Sequence, residues 1–214
     1  MSKATISQRF MAHLLKHIDK NIEKNYSSLK MKLFSQIRKG DNVLEIGPGT
    51  GVNFKYYPHG LRLTVVEPNV LLHDSLRVNA LKNKINIKII KSVSEHLPFK
   101  NNAFDFVVST LVLCSVNYLS KSLHEIKRVL KKGGKYLFIE HVLDENNTLR
   151  RGFQHILAHS PWTFFGDNCH PNRDISFNVE KIGFSDVKIK KYYQNGLGLL
   201  GQIIKSHIAG EAVK

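Results

Sequence analysis

The chain has 214 residues, 42% of them apolar and 23% charged, enough for one domain with a full core and short for two. Its two cysteines, Cys114 and Cys169, lie far apart and offer neither a disulfide framework nor metal-ligand spacing, so the expectation is a reduced, cytoplasmic protein with no metal. No apolar run reaches the roughly twenty residues of a spanning helix, and the first residues lack the apolar core of a signal peptide.

Thirty-two Lys and Arg against 17 Asp and Glu give a net charge of +15. Such a surface attracts anionic partners, and peripheral contact with a membrane surface stays open. The lysines are nevertheless spread along the chain, which favours a solvated coat over a nucleic-acid tract.

From the N-terminus, Phe10, Leu14, Ile18 and Ile22 recur at helical spacing, and a second helical piece, "SSLKMKLFSQI", runs toward Gly40. Residues 1–40 are read as a helical lid and residues 41–214 as one α/β domain. Strand-length apolar runs follow: "NVLEI" (42–46), "RLTVV" (62–66), "INIKII" (85–90), "FDFVVST" (104–110), "KYLFIE" (135–140), "DVKIKKYY" (186–193) and "GQIIKSHIAG" (201–210). Between the fourth and fifth, Leu119, Leu123, Ile126, Val129 and Leu130 form a helical stripe, with lysines in the last turn and Gly133-Gly134 as the stop. This alternation predicts a mostly parallel sheet with helices on both faces. The last two runs have no good helix pattern between them and predict an antiparallel pair. Residues 144–182 interrupt the alternation and read as a helical insertion on the substrate side, containing Trp162 and the turn-rich "FGDNCHPNRD".

The stretch "VLEIGPGTGVNF" breaks a buried strand into Gly47, Gly49 and Gly51, followed by an expected helix opening at Val52-Asn53-Phe54. Side-chain-free backbone there lets a ligand approach free N–H groups. The next strand ends in Glu67, twenty residues after Gly47, where a carboxylate can accept both ribose hydroxyls of an adenosine. The third glycine comes one residue early for a dinucleotide fingerprint, and no phosphate-binding Lys-Ser/Thr follows, so a smaller adenosyl compound is favoured over a pyrophosphate. Glu95, in "SVSEHLPF", offers a contact for an adenine edge. Each piece alone also fits a structural role: a turn at Gly49, a solvated strand end at Glu67, a loop proline at Pro98.

Taken in order, "VLEIGPGTGVNF", "VVEPN", "SEHLPF", "FDFVVSTLVLCSV" and "RVLKKGGKYLFIEHV" resemble the motifs of class I S-adenosylmethionine-dependent methyltransferases. The resemblance implies a Rossmann-like α/β fold, a seven-stranded mostly parallel sheet whose last strand is antiparallel. It implies S-adenosyl-L-methionine as cofactor, held by Glu45, Gly47, Pro48, Gly49, Gly51, Asn53, Glu67, Pro68, Asn69, Val93, Ser94, Glu95, Ser109, Thr110 and Leu111. Further stretches, "GTGVNFKYYPHG", "STLVLCSV", "FIEHV" and "HIAGEAVK", resemble the methyltransferase-like thiol S-methyltransferases of animal membranes and their bacterial relatives. "FGDNCHPNRD" is similar to that family's Asp-Gly-Cys segment, with Asn168 in place of the glycine. Unlike the animal members, the sequence shows no hydrophobic N-terminal anchor.

Methyl transfer from a sulfonium requires the acceptor near the methyl group, in line and away from water. A thiol, with a pKa near 8.5, needs little help; an oxygen or amine acceptor needs a positioned base. His141, Asp167 and His170 are the candidate catalytic residues. A hydrogen-bonded structural histidine fits His141 equally, and a plain turn fits Asp167 and His170. Phe10, Tyr26, Leu113 and Trp162 are candidates to line a small lipophilic acceptor, although core packing explains each as well. The expected protein is therefore a small-molecule methyltransferase with a thiol acceptor as its sharpest form; the sequence leaves the oligomeric state open, with a monomer favoured. C-, O- or N-methylation in quinone or lipid synthesis is the alternative, and a non-catalytic cofactor-binding regulator is the reading from another class. Nucleic acid is not expected as a partner, because no RNA-binding module or Asn-Pro-Pro-Tyr motif follows the fourth strand.

Overall fold

The computed structural model describes residues 5–194 and 198–214, with backbone only at 18–22 and 198–200. Helix α1 (Ile6–Phe34) precedes β1 (Asn42–Ile46), β2 (Arg62–Val66), α2 (His73–Lys82), β3 (Ile87–Ile90), β4 (Phe104–Thr110), α3 (Leu119–Val129) and β5 (Leu130–His141). Then come α4 (Thr148–Ala158), α5 (Trp162–Phe165), α6 (Ile175–Lys181), β6 (Asp186–Tyr193), α7 (Gly198–Ile203) and β7 (Ser206–Val213). The sheet order is β3-β2-β1-β4-β5-β7-β6. Only β7 runs antiparallel to its neighbours, β5 and β6. This is the seven-stranded, mostly parallel fold that the sequence implies.

Because side chains alternate along a strand, β1 feeds two cores. Val43 joins Phe34 of α1 and Leu76 of α2 on one face, while Leu44 and Ile46 join Leu123 and Ile126 of α3 on the other. Leu123, Ile126 and Val129 are fully buried, and at about 1.5–3 kcal/mol per buried aliphatic side chain this stripe holds α3 to the sheet. The strand order reverses between β1 and β4, so their carboxyl ends diverge and leave a crevice where ligands of such sheets bind.

Four local expectations change. The two N-terminal helical pieces are one helix, α1, capped by Thr5 and Gln8 in a capping box; the intervening "NYSS" has no Pro or Gly to break it. The side chains of Ile18 and Ile22 lie outside the described residues. No α-helix follows the glycine turn, only a 3-10 turn at Phe54–Tyr56 cut short before Pro58. Gly133 and Gly134 do not stop α3, which ends at Val129; they lie inside β5, where the pairing with β4 jumps from Phe104–Leu130 to Phe106–Lys135. Finally, the run 201–210 divides: Gln202 and Ile203 close α7, and β7 starts at Ser206. A short apolar run reads equally as helix or strand, and the antiparallel register from His141–His207 to Lys135–Val213 decides it.

Candidate active site

All three turn glycines have left-handed backbone, with φ of +58° at Gly47, +60° at Gly49 and +86° at Gly51. A Cβ on Gly47 would sit 2.8 Å from a Val112 methyl, and one on Gly51 would sit 2.6 Å from the Phe54 ring. At Gly49 the nearest atom is a Leu15 methyl of α1, 3.6 Å away. Two glycines therefore pack the turn against the protein, and the middle one faces the underside of α1. Pro48 accepts the Gly51 N–H and closes the turn.

Glu67, buried at the end of β2, accepts the N–H groups of Gly49 (3.2 Å) and Asn69 (2.9 Å). Burial raises its pKa to about 7, with the two backbone donors pulling against it. Ionised, the carboxylate retains acceptor capacity beyond these two bonds. Pro68 beside it is exposed, whereas Asn69 is buried and donates to the Gln8 carbonyl of α1.

Glu45 lies on the α1 face of β1. It accepts Asn53 Nδ2 (2.7 Å) and the Tyr57 hydroxyl (3.0 Å), and burial raises its pKa to about 7. Asn53 also donates to Thr110 Oγ1 (3.1 Å), tying the end of β4 to the segment after the turn, and its buried Oδ1 has no partner among the described residues. Glu45 thus reaches the crevice through Asn53 and not directly.

At the third strand, Val93 is exposed, while Ser94 bonds Ser122 (2.8 Å) and Glu95. Glu95 accepts the N–H groups of Asn117 (2.7 Å) and Tyr118 (3.1 Å), which fixes the loop before α3.

A further acid, Glu140, carries no role in the sequence reading although it stands in the quoted "FIE". Fully buried, it accepts Ser109 Oγ (2.8 Å) and the N–H groups of Val112 (2.9 Å) and Leu113 (3.1 Å). Burial raises its pKa to about 8. Ser109 also bonds Tyr136 and points into this buried network. Leu111, at φ +58°, starts the turn that Glu140 holds.

His141 follows at the end of β5. Its Nε2 lies 3.1 Å from Cys169 Sγ, and Cys114 Sγ completes a buried group whose donor atoms all lie within 4.8 Å of one another. Burial opposes charge on His141, but the Cys114 sulfur outweighs it and holds the imidazole above its ordinary value. His207, also missed in the sequence, packs edge-on to His141 and is driven down to about 4 by burial. The Tyr26 hydroxyl bonds His207 Nε2 at 2.8 Å, so Tyr26 is a buried buttress of the network.

Asp167 and Asn168 have φ of +51° and +63°. Asn tolerates left-handed backbone better than other non-glycine residues, which accounts for Asn168 where the resembling family has Gly. Asn168 donates to the Ser115 carbonyl (2.9 Å), and the His170 N–H donates to the Cys114 carbonyl (2.9 Å), strapping this loop to the segment after β4. Burial raises the Asp167 carboxyl, and the Cys114 sulfur adds to it. Asp167 also adds to the rise at Glu67, a smaller contribution than burial there. His170 is held by Asn168 Oδ1 (3.1 Å), and its partial burial lowers its pKa. Leu113 is fully buried, with its carbonyl taken by Arg173 (2.7 Å).

Over the crevice lies α1. Phe10 meets Phe165 of α5 edge-on (5.6 Å) and Ser7 donates to the Phe164 carbonyl (2.6 Å). Trp162 packs against the α3-side core beside Cys169, whose thiol its indole N–H faces. A groove of about 720 Å³ opens between α1 and α2 on the far side of the glycine turn, lined by Thr50, Gly51 and Val52 of the turn with Lys24, Asp74 and Asn79.

Residues 44–138 match the methyltransferase domain family. The thiol S-methyltransferase TMT1B of Rattus norvegicus is 33% identical over 94% of this chain and 88% of its own length. The chain belongs to the class I S-adenosylmethionine-dependent methyltransferases. The match to this methyltransferase also extends to another branch: the ubiquinone/menaquinone biosynthesis C-methyltransferase UbiE of Haemophilus ducreyi is 34% identical over 50% of the chain and 43% of its own length. A solved S-adenosylmethionine-dependent methyltransferase from Thermotoga maritima superposes with a TM-score of 0.62 at 20% identity, covering 94% of this chain and 99% of that one. Among the described residues no helix is long and apolar enough to cross a membrane.

Proposed function

We propose that this methyltransferase transfers a methyl group to the sulfur of a small, lipophilic thiol. The observation that carries the reading is the 33% identity to a thiol S-methyltransferase across 94% of the chain, which takes in the acceptor side as well as the cofactor turn.

The crevice residues suit S-adenosyl-L-methionine, which supplies an activated methyl group. Glu67 accepts the ribose hydroxyls, Gly49 gives room beside them, and the exposed Val93 offers an apolar face to the adenine. The unpartnered Oδ1 of Asn53 accepts a donor such as the α-ammonium of the methionine moiety. Pro48, Pro68 and Asn69 shape the rim, and Leu111 closes it from the β4 side.

Helix α1 acts as the lid. Its second half is fixed: Lys30 and Glu23 form a buried ion pair (2.5 Å), and Phe34 stacks on Tyr57. Its first half, with Phe10 against Phe165, covers the crevice and excludes water while offering an apolar wall to the acceptor. A few per cent of an ordinary thiol is already ionised at neutral pH, and the partly buried Arg173 raises that fraction at the acceptor end. Asp167, whose carboxyl makes no hydrogen bond or ion pair among the described residues, is the base available to an oxygen or carbon acceptor. With the UbiE similarity, it favours quinol C-methylation as the second reading.

Incubation with methyl-labelled donor and a panel of alkyl thiols, amines and quinols separates the two. Labelled thioether with equimolar S-adenosylhomocysteine is expected; labelled quinol with inert thiols would overturn the first reading.

A further inference from the structure

We infer that Cys114, His141 and Cys169 form a binding site for a zinc ion, with the acceptor thiol as its fourth ligand. The two cysteines are 55 residues apart, and no local spacing announces them. Folding brings them together from three elements: the segment after β4, the end of β5 and the loop between α5 and α6.

The donor set is that of a soft divalent cation, two sulfurs and one imidazole nitrogen. Tetrahedral zinc, with bonds of about 2.3 Å to sulfur and about 2.1 Å to nitrogen, needs ligand atoms about 3.6–3.8 Å apart. The His141 Nε2 to Cys169 Sγ separation is 3.1 Å and no pair exceeds 4.8 Å, so shifts of about an ångström or less admit the ion. All three side chains are buried, at 2% exposure for Cys114, 5% for His141 and 7% for Cys169. His141 Nδ1 has no partner among the described residues, so no hydrogen bond seen at the other nitrogen holds the ring against that adjustment. Here the group is held by weak sulfur contacts, among them His141 Nε2 to Cys169 Sγ and Cys114 Sγ to Ser115 Oγ (3.5 Å), which a cation would replace with three ligand bonds.

No fourth His, Cys, Asp or Glu atom joins the group among the described residues. Three protein ligands with a vacant position are the mark of a zinc site that takes a substrate. Each donor also lies in a stretch by which the chain resembles the thiol S-methyltransferases: "STLVLCSV", "FIEHV" and "FGDNCHPNRD". An entering thiol R–SH releases its proton to solvent and binds as the thiolate. Its sulfur forms the new S–CH3 bond as the donor's S–CH3 bond breaks, and that electron pair stays on the sulfur of S-adenosylhomocysteine. The neutral thioether is a weak ligand and leaves.

The metal site stands on the three donors alone; the acceptor's place on it rests on the thiol reading. The test is titration of the reduced full-length chain with Zn2+ against a chromophoric chelator, and with Co2+ followed by absorption. One ion per chain is expected, with the intense sulfur-to-cobalt bands of a tetrahedral thiolate site. Cys114→Ser and Cys169→Ser should each weaken zinc by about 100-fold or more while S-adenosylhomocysteine still binds calorimetrically, which controls for folding. An alkyl thiol added without methyl donor should alter the cobalt spectrum. Less than about one ion per ten chains at saturating Zn2+, or wild-type affinity in both variants, would overturn the site. Thiol methylation at the full rate by metal-free protein would remove the acceptor from the metal while leaving the proposed function intact. Zinc bound with a cobalt spectrum indifferent to thiols would remove the acceptor from the site.

Discussion

Glu67→Gln separates binding from stability. Burial lifts this carboxyl from 4.5 to about 7, which corresponds to about 3 kcal/mol of penalty on the ionised form; at 5% exposure, solvent screens little of it. The folded pKa lies above the unfolded one, so the folded chain holds the proton more tightly. The associated stability is intact below about pH 4.5 and is lost as pH rises through 7. Gln carries no charge to bury, but it can serve only one of the N–H groups of Gly49 and Asn69, a loss of about 1–3 kcal/mol at every pH. The variant should therefore be less stable than wild type at pH 5 and gain on it by pH 8. At about 2–4 °C per kcal/mol, that relative gain is up to about 6–12 °C in Tm. Calorimetry should show the opposite for the ligand. Losing charge-assisted bonds to two ribose hydroxyls weakens S-adenosylhomocysteine by about 30- to 1000-fold. Wild-type affinity should tighten as pH rises toward 7, and the variant's should be flat. Equal affinity in both proteins, or parallel Tm–pH curves, would refute the reasoning.

Gly47→Ala adds left-handed strain and a 2.8 Å contact with Val112, so Tm should fall by the equivalent of about 1–3 kcal/mol; adding Val112→Ala should restore the contact part and not the strain part. Glu140→Ala removes the acceptor of two backbone N–H groups and of Ser109, and chemical denaturation should register a loss of about 3 kcal/mol or more. Asn168→Gly keeps the φ of +63° at no strain but loses the side-chain bonds to Ser115 and His170, about 1 kcal/mol by chemical denaturation, whereas Asn168→Val loses the same bonds and adds about 1–2 kcal/mol of backbone strain. Phe10→Ser should raise KM for long-chain thiols several-fold more than for short ones while leaving S-adenosylhomocysteine affinity within about twofold, measured by steady-state kinetics and calorimetry.

The parallel sheet was legible because β1, β2 and β4 are near-continuous apolar runs that only a doubly covered sheet buries. The glycine turn and Glu67 were legible because their spacing is local. What escaped depends on long-range pairing. Gly133-Gly134 looks like a helix stop until the C-terminal strand pairs beside it, and Gln202-Ile203 looks like strand until the register of β7 excludes it. Glu140 and His207 matter through partners 27 to 181 residues away, which no window along the chain connects. Cys114 and Cys169 are the sharpest case, since the chemistry of the pair exists only after folding.

The most direct test of the account is a crystal structure with S-adenosylhomocysteine and an unreactive thiol analogue. The ribose hydroxyls should lie within hydrogen-bonding distance of Glu67, with the product sulfur turned toward the Cys114, His141 and Cys169 side of the crevice. An adenosyl group seated instead in the groove between α1 and α2, away from Glu67, would contradict it.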